Sequence, residues 1–194
     1  MIVLKLGGSL LSSAEPSYLR QWLSLASEQG KGKLVIVPGG GVFADQVRLM
    51  QKQWHYNDQK AHYMALLAMQ QMALLLQGLC SNLVIIDRVT AIAPALAQQQ
   101  VVLWSPLAEE LDADDVPASW DVTSDSLAAW LAVQLAAAQL VLVKSVEISV
   151  DQSVEQLVAL GVIDKAFAQF VQGQDLAIRC LERQQLAIFA ACLT

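Results

Sequence analysis

Short, nearly continuous apolar runs alternate along this chain with segments whose apolar residues return at helical spacing. The runs are Ile2–Leu6, Leu34–Val37, Leu83–Ile86, Val101–Trp104, Leu140–Val143 and Leu176–Cys180. A strand with one wet face alternates polar and apolar residues, so runs without alternation belong to strands covered on both faces. Between them, Ser17–Glu28 carries Leu19, Trp22, Leu23 and Ala26 at helical spacing. Val42–Trp54, Asp58–Gln77, Thr90–Gln98, Ser124–Ala138, Val154–Leu160 and Lys165–Val171 also read as helices, with Pro94 best placed in a first turn. Glu182–Leu193 fits helix or strand, and Leu186, Phe189 and Leu193 favour helix. Strands that alternate with helices predict βαβ units. The expected fold class is α/β, a three-layer αβα sandwich with a mainly parallel central sheet. With no internal repeat, linker or low-complexity tract, residues 1–194 are expected to form a single domain.

Composition removes several function classes. Hydrophobic residues make up 55% of the chain and charged ones 15%, the reverse of a disordered composition. The 12 Lys+Arg against 18 Asp+Glu leave −6, which argues against nucleic acid as the main partner. Cys80, Cys180 and Cys192 are far apart and form no CxxC pair. With only His55 and His62 beside them they make a poor metal-ligand set, and they read as three buried, reduced thiols of a cytoplasmic protein. The opening MIVLKLGGSLL is short and lacks a basic flank, so no signal peptide is expected. Leu127–Val143 contains Gln134 and Gln139 and reads as a buried helix followed by a buried strand rather than a membrane span.

In sheets of this kind ligands bind beyond the carboxyl ends of the strands. Four segments there carry chemistry. Lys5-Leu6-Gly7-Gly8-Ser9 offers a cation and bare backbone N–H groups able to nest anionic oxygens. Pro38-Gly39-Gly40-Gly41 enters a helix N-terminus, a geometry that attracts anions. Asp121-Val-Thr123-Ser124-Asp125 opens the next buried helix; Thr123 or Ser124 can cap it, and Asp125 suits its first turn. Lys144-Ser145 ends the Leu140–Val143 strand, and Gly161-Val-Ile-Asp164-Lys165 follows.

Taken in order, these segments resemble the amino acid kinase superfamily, which includes acetylglutamate, aspartate, uridylate and isopentenyl phosphate kinases. The opening K-x-G-G-S corresponds to Lys5–Ser9, the glycine loop to Gly39–Gly41, and the N-x-x-x-D element to Asp121 and Asp125. The late G-M-x-x-K element corresponds to Gly161–Lys165. The resemblance implies phosphoryl transfer from ATP with Mg²⁺ carried mainly on phosphates and no dedicated protein metal site. It implies Lys5, Asp125 and Lys165 as catalytic residues. Gly7, Gly8, Ser9, Lys144 and Ser145 would bind ATP, and Gly39, Gly40, Gly41 and Asp121 would bind the acceptor. It also suggests a homodimer, for which the apolar Asp58–Gln77 helix could supply a face. The sequence departs from the family where T-D-V-x-G-[IV]-Y is usual: Lys144-Ser-Val-Glu-Ile-Ser stands there, which makes Lys144 a rival to Lys165 for the second cation.

For the acceptor, Trp120–Ser126, Ala61–Met64 and Gly161–Phe167 are similar to the small kinases of methanofuran synthesis, which phosphorylate an aminomethyl-furanylmethyl phosphate. Asp121 is then expected to meet the amine. Glu109, Glu110, Asp112, Asp114 and Asp115 read as a solvated acidic loop, and His62 as a helix residue at the cleft wall or in the core. An isopentenyl phosphate kinase and a non-catalytic ligand-binding member of the fold are the alternatives. Trp54, Tyr63 and Met64, Met69 and Met72 motivate the first, and the missing T-D-V-x-G element the second.

Overall fold

A computed structural model describes residues 1–10, 17–148 and 152–194. The strands are β1 (Ile2–Leu6), β2 (Leu34–Pro38), β3 (Leu83–Ile86), β4 (Val101–Trp104), β5 (Gln139–Lys144) and β6 (Ala177–Glu182). They form one parallel sheet in the order β3-β4-β2-β1-β5-β6. The helices are α1 (Ser17–Gln29), α2 (Gly41–Trp54), α3 (Asp58–Leu79), α4 (Val89–Ala97), α5 (Ala108–Ala113), α6 (Ser124–Gln134), α7 (Val154–Ala159), α8 (Phe167–Val171) and α9 (Leu186–Cys192). The sheet is therefore the parallel, helix-covered α/β sandwich that the apolar runs predict.

The covered faces explain the missing alternation. Ile2, Leu4, Leu6, Leu34, Ile36, Val141 and Val143 pack with α1, α3 and α9. Val3, Val35, Val37, Leu140 and Leu142 pack with α4, α6 and α8. Successive side chains of a strand point to opposite faces. Lys5 therefore shares the α6 face with Val3, and Lys144 shares it with Leu142. Lys5 lies opposite Leu142 in the β1–β5 register, so both lysines reach the same end of the sheet on adjacent strands.

Four local readings change. Cys80, Cys180 and Cys192 are free thiols, but each is half-buried rather than buried. Pro94 sits late in α4 rather than in its first turn; it removes one main-chain donor, which α4 tolerates at its C-terminal half while Ile92, Ala95 and Leu96 are buried. The acidic stretch is the short helix α5 and its exit rather than a loop, although Glu109, Asp112, Asp114 and Asp115 are exposed as expected. Glu110 accepts from Val89 N at 3.1 Å, Tyr63 OH donates to Asp112 at 2.6 Å, and Asp114 accepts from Trp130 Nε1 at 3.1 Å and Gln134 Nε2 at 2.7 Å. These carboxylates tether α5 to α3, α4 and α6. Finally, Thr123 holds the N-cap position of α6 without capping it by its own side chain. Among the described residues no helix is long and apolar enough to cross a membrane.

Candidate active site

The end of β1 and the end of β2 meet through their glycines. A Cβ on Gly8 would lie 2.3 Å from Gly41 Cα, and one on Gly39 would lie 2.5 Å from Gly8 N. Gly41 takes φ +53°, a left-handed backbone that side chains disfavour. The two glycine loops are thus pressed together backbone to backbone, and only glycine permits it. Gly39 N donates to Leu6 O at 2.8 Å and Leu10 N to Gly7 O at 3.0 Å, so the loop after β1 curls into a single tight turn.

Beside these loops lies a buried charge cluster. Asp125, in the first turn of α6, is 3% exposed; Lys5 and Lys144 are 5% and 9% exposed. Lys5 Nζ is 2.8 Å from Asp125 Oδ1. Lys144 Nζ donates to Asp125 Oδ2 and, at 2.5 Å, to the Val162 carbonyl. Burial pushes the Asp125 carboxyl up, but Lys5 and Lys144 together outweigh it and hold the group below the ordinary carboxylate value. Burial and the neighbouring Lys5 push Lys144 below the ordinary lysine value, and Asp125 offsets only part of that. Two lysines against one carboxylate leave a net positive charge in a dry place, which an anionic ligand would satisfy.

A cavity of about 440 Å³ opens next to the cluster. Gly8, Ser9 and Gly39–Gly41 form one wall, and Trp120, Val122, Thr123 and Ser124 another. Its floor is apolar, with Leu66, Met69 and Leu127. Ala44, Asp45 and Arg48 also line it, because they recur at helical spacing from Gly41 on one face of α2. The Arg48 guanidinium stands 4.4 Å over the Trp120 ring, and Trp120 Nε1 donates to Gln51 Oε1 at 2.5 Å. Those contacts strap the segment before α6 onto α2. His62, buried at the same cavity, is pushed below the ordinary imidazole value by burial, partly countered by Asp112.

The sequence-derived residues divide into two groups. Lys5, Asp125 and Lys144 converge in the buried cluster. Gly7, Gly8, Ser9 and Gly39–Gly41 form its rim, where Ser9 Oγ and Ser145 Oγ meet at 2.8 Å. Asp121 and Lys165 lie outside the cluster as an exposed pair 3.5 Å apart. Ser149, the last residue of the departing Lys144–Ser149 run, lies outside the described residues. Arg48, Asp45 and Gln51 escaped the sequence reading, although their spacing from Gly41 was an available signal. Asp164 was named only as part of the Gly161–Lys165 segment, and its role escaped the sequence reading. Its carboxylate accepts from Thr123 N at 3.0 Å, Thr123 Oγ1 at 2.6 Å and Ser126 N at 2.9 Å, and so caps α6 from a distant loop.

The model of the amino acid kinase family matches residues 1–151. The chain belongs to the amino acid kinase family, and it is a kinase. It is similar to known small-molecule kinases. One is the 5-(aminomethyl)furan-3-yl-methyl phosphate kinase of Methanocaldococcus jannaschii, 27% identical over 147 residues, which cover 76% of this chain and 67% of that one. Among solved structures, uridylate kinase of Archaeoglobus fulgidus superposes with a TM-score of 0.72 at 18% identity, covering 98% of this chain and 95% of that one. An isopentenyl phosphate kinase superposes at 0.65 and 13% identity, covering 100% and 96%. At such identities the two structures speak for the fold alone.

Proposed function

We propose that this amino acid kinase transfers the terminal phosphoryl group of ATP to a small acceptor that already carries a phosphate and an amine, of the aminomethyl-furanylmethyl phosphate type, in methanofuran-type cofactor synthesis. The observation that carries the reading is the buried Lys5–Asp125–Lys144 cluster at the rim of a glycine-walled cavity. Phosphoryl transfer needs positioning and charge stabilisation more than covalent chemistry. Fixed cations in a dry site are worth far more than the same cations in water.

In this reading Lys5 and Lys144 meet the oxygens of the migrating phosphoryl group, and Asp125 holds both amines in place. The rim N–H groups of Gly7, Gly8 and Ser9, with Ser145 opposite, bind the nucleotide phosphates. Lys165 leaves its exposed pair with Asp121, at little cost for a surface contact, and reaches the nucleotide. Asp121 is then free for the acceptor's ammonium, beside the flat Trp120. Gly39–Gly41 bring main-chain donors to the acceptor phosphate, and Arg48 adds a guanidinium at the same wall. Among the described residues no His, Cys, Asp or Glu cluster could hold a metal ion, so Mg²⁺ would be carried by the phosphates, where a hard cation suited to oxygen ligands would supply charge neutralisation.

The name of the Methanocaldococcus relative supports this acceptor. The cavity wall holds the Asp45 carboxylate, the Arg48 guanidinium and the Trp120 indole, whereas Asp121 lies outside that lining, so Asp45 is a second candidate for the ammonium. The apolar floor of Leu66, Met69 and Leu127 favours isopentenyl phosphate as the second reading. Assaying ADP release with both phosphates, in the wild type and in Lys5→Ala, tests the proposal. We expect turnover of the amine-bearing acceptor and a loss of roughly a hundredfold in the variant. Preference for isopentenyl phosphate would overturn the acceptor, and equal rates in the two proteins would overturn the role of Lys5.

A further inference from the structure

We propose that Asp164 is a positioning residue: it sets the geometry of the Lys5–Asp125–Lys144 cluster and of the cavity wall beside it. The inference rests on the phosphoryl-transfer reading above. Asp164 touches none of the three cluster side chains through its carboxylate. It grips instead the main chain that carries one of them. Its two oxygens take Thr123 N, Thr123 Oγ1 and Ser126 N, which bracket Asp125 on both sides. Two residues before it, the Val162 carbonyl takes Lys144 Nζ at 2.5 Å. Two residues after it, Ala166 N donates to Asp121 O at 3.0 Å. A single loop, residues 161–166, therefore holds the carboxylate of the cluster from one side and one of its lysines from the other.

Helix capping alone does not account for this arrangement. Thr123 already stands at the N-cap, and a threonine hydroxyl there ordinarily accepts from the first-turn amides. Here that hydroxyl accepts no first-turn amide and donates instead to Asp164 at 2.6 Å. The local cap is exchanged for a carboxylate from a distant segment, one that favours the positive end of the helix as well as its bare N–H groups. The exchange gains what a local cap cannot supply: it locks the start of α6 to the loop that also holds Lys144. Thr123 and Ser124 line the cavity as well, so the same three hydrogen bonds fix the wall against which the acceptor rests. An error of about 1 Å in such a constellation costs on the order of a hundredfold in rate.

The charge of Asp164 also acts on Lys144 through space, in the direction that keeps its proton. The other charged or titratable groups around Lys144 are Lys5 from β1, Asp125 from α6, Cys180 from β6, and Glu182 opposite it in the β5–β6 register. Neutralising Asp164 therefore weakens one of the influences that hold Lys144 protonated.

Asp164→Asn and Asp164→Ala, purified alongside the wild type, test the proposal by steady-state kinetics with Mg-ATP and the aminomethyl-furanylmethyl phosphate across the alkaline range. Asparagine keeps one carbonyl oxygen for the Thr123 and Ser126 amides, so we expect kcat to fall by about threefold to tenfold, with alanine approaching a hundredfold. KM for ATP is expected to change by less than threefold. In both variants the alkaline decline of kcat should begin at lower pH. A role confined to the helix cap predicts something else: a lower melting temperature for alanine, with kcat per folded molecule and the pH profile unchanged. That outcome, or equal kcat in all three proteins, would overturn the proposal. Absence of phosphoryl transfer in the wild type would overturn the phosphoryl-transfer reading and this inference with it, whereas turnover indifferent to Asp164 overturns this inference alone.

Discussion

Two lysine–aspartate contacts flank the start of α6, and they sit in different media. Asp125 is buried and binds Lys5 and Lys144, both buried. Asp121, four residues earlier, faces Lys165 at 3.5 Å with side chains 60% and 80% exposed. The charges are the same. What differs is how much water can replace a lost partner. Around Asp121 and Lys165 solvent and salt screen the pair, and its separation costs little. Around Asp125 no water substitutes, and removing one partner leaves an unpaired charge in a dry interior. A buried cluster can therefore serve as fixed machinery, and an exposed pair as a loose contact that a ligand can rearrange.

Breaking the buried side should give the largest effect. Asp125→Ala strands two lysines and should destabilise the fold by about 3–5 kcal/mol, with activity lost by a hundredfold or more in what remains folded. Urea unfolding checks the first part. A change below about 1 kcal/mol would mean that water reaches Lys5 and Lys144 after all.

The pH dependence sharpens the same contrast. Asp125 sits below its ordinary 3.8, because Lys5 and Lys144 outweigh the upward push of burial. Its contribution to stability is complete above the ordinary carboxylate value and is lost as pH falls below 3.8 through the lower folded value. Lys144 contributes a penalty instead of a gain, although stability again rises with pH. Burial and Lys5 lower it from 10.5, so its charged form is penalised in the fold, and that penalty eases as pH rises through its folded value towards 10.5. We therefore expect kcat to decline on the alkaline side below pH 10.5 while the protein stays folded, as the amine loses the charge that serves the phosphoryl group. Lys144→Met should abolish that limb and lower kcat by roughly a hundredfold. Simultaneous loss of fold and rate at high pH would contradict the assignment.

The two regions were also unequally legible in the sequence. The fold was readable because β1, β2, β4 and β5 are buried on both faces, which forces near-continuous apolar runs. That Lys5 and Lys144 stand at the ligand-binding end of the sheet was readable from the apolar runs beside them, but that they share one face on adjacent strands depends on the strand order and register, which the sequence does not carry. Helix ends drifted where tertiary contacts decide them: α3 continues to Leu79, and α5 exists because Glu110, Asp112 and Asp114 find partners on three other helices. No local pattern announces such tethers. The cap of α6 failed for the same reason, since the group that caps it lies in the 161–166 loop, after β5 and α7. The glycine loops were legible as unusual, but one reason was not: they pack against each other, backbone to backbone.

The smallest effect is expected on the exposed side. Lys165→Ala removes a contact between two largely solvated side chains, so stability should change by no more than about 0.5 kcal/mol. In the proposed reaction Lys165 serves the nucleotide only after leaving Asp121. Its loss should then raise KM for ATP by several-fold and leave kcat within about tenfold, because Lys5 and Lys144 still meet the migrating group. The substitution also frees Asp121, which should bind the acceptor's ammonium more readily and lower KM for the acceptor. The double variant Asp121→Asn/Lys165→Ala should cancel that gain without restoring ATP affinity. A kcat loss as deep as that of Lys5→Ala, with KM for ATP unchanged, would erase the distinction between fixed and loose cations and make Lys165 a full partner in the transfer step.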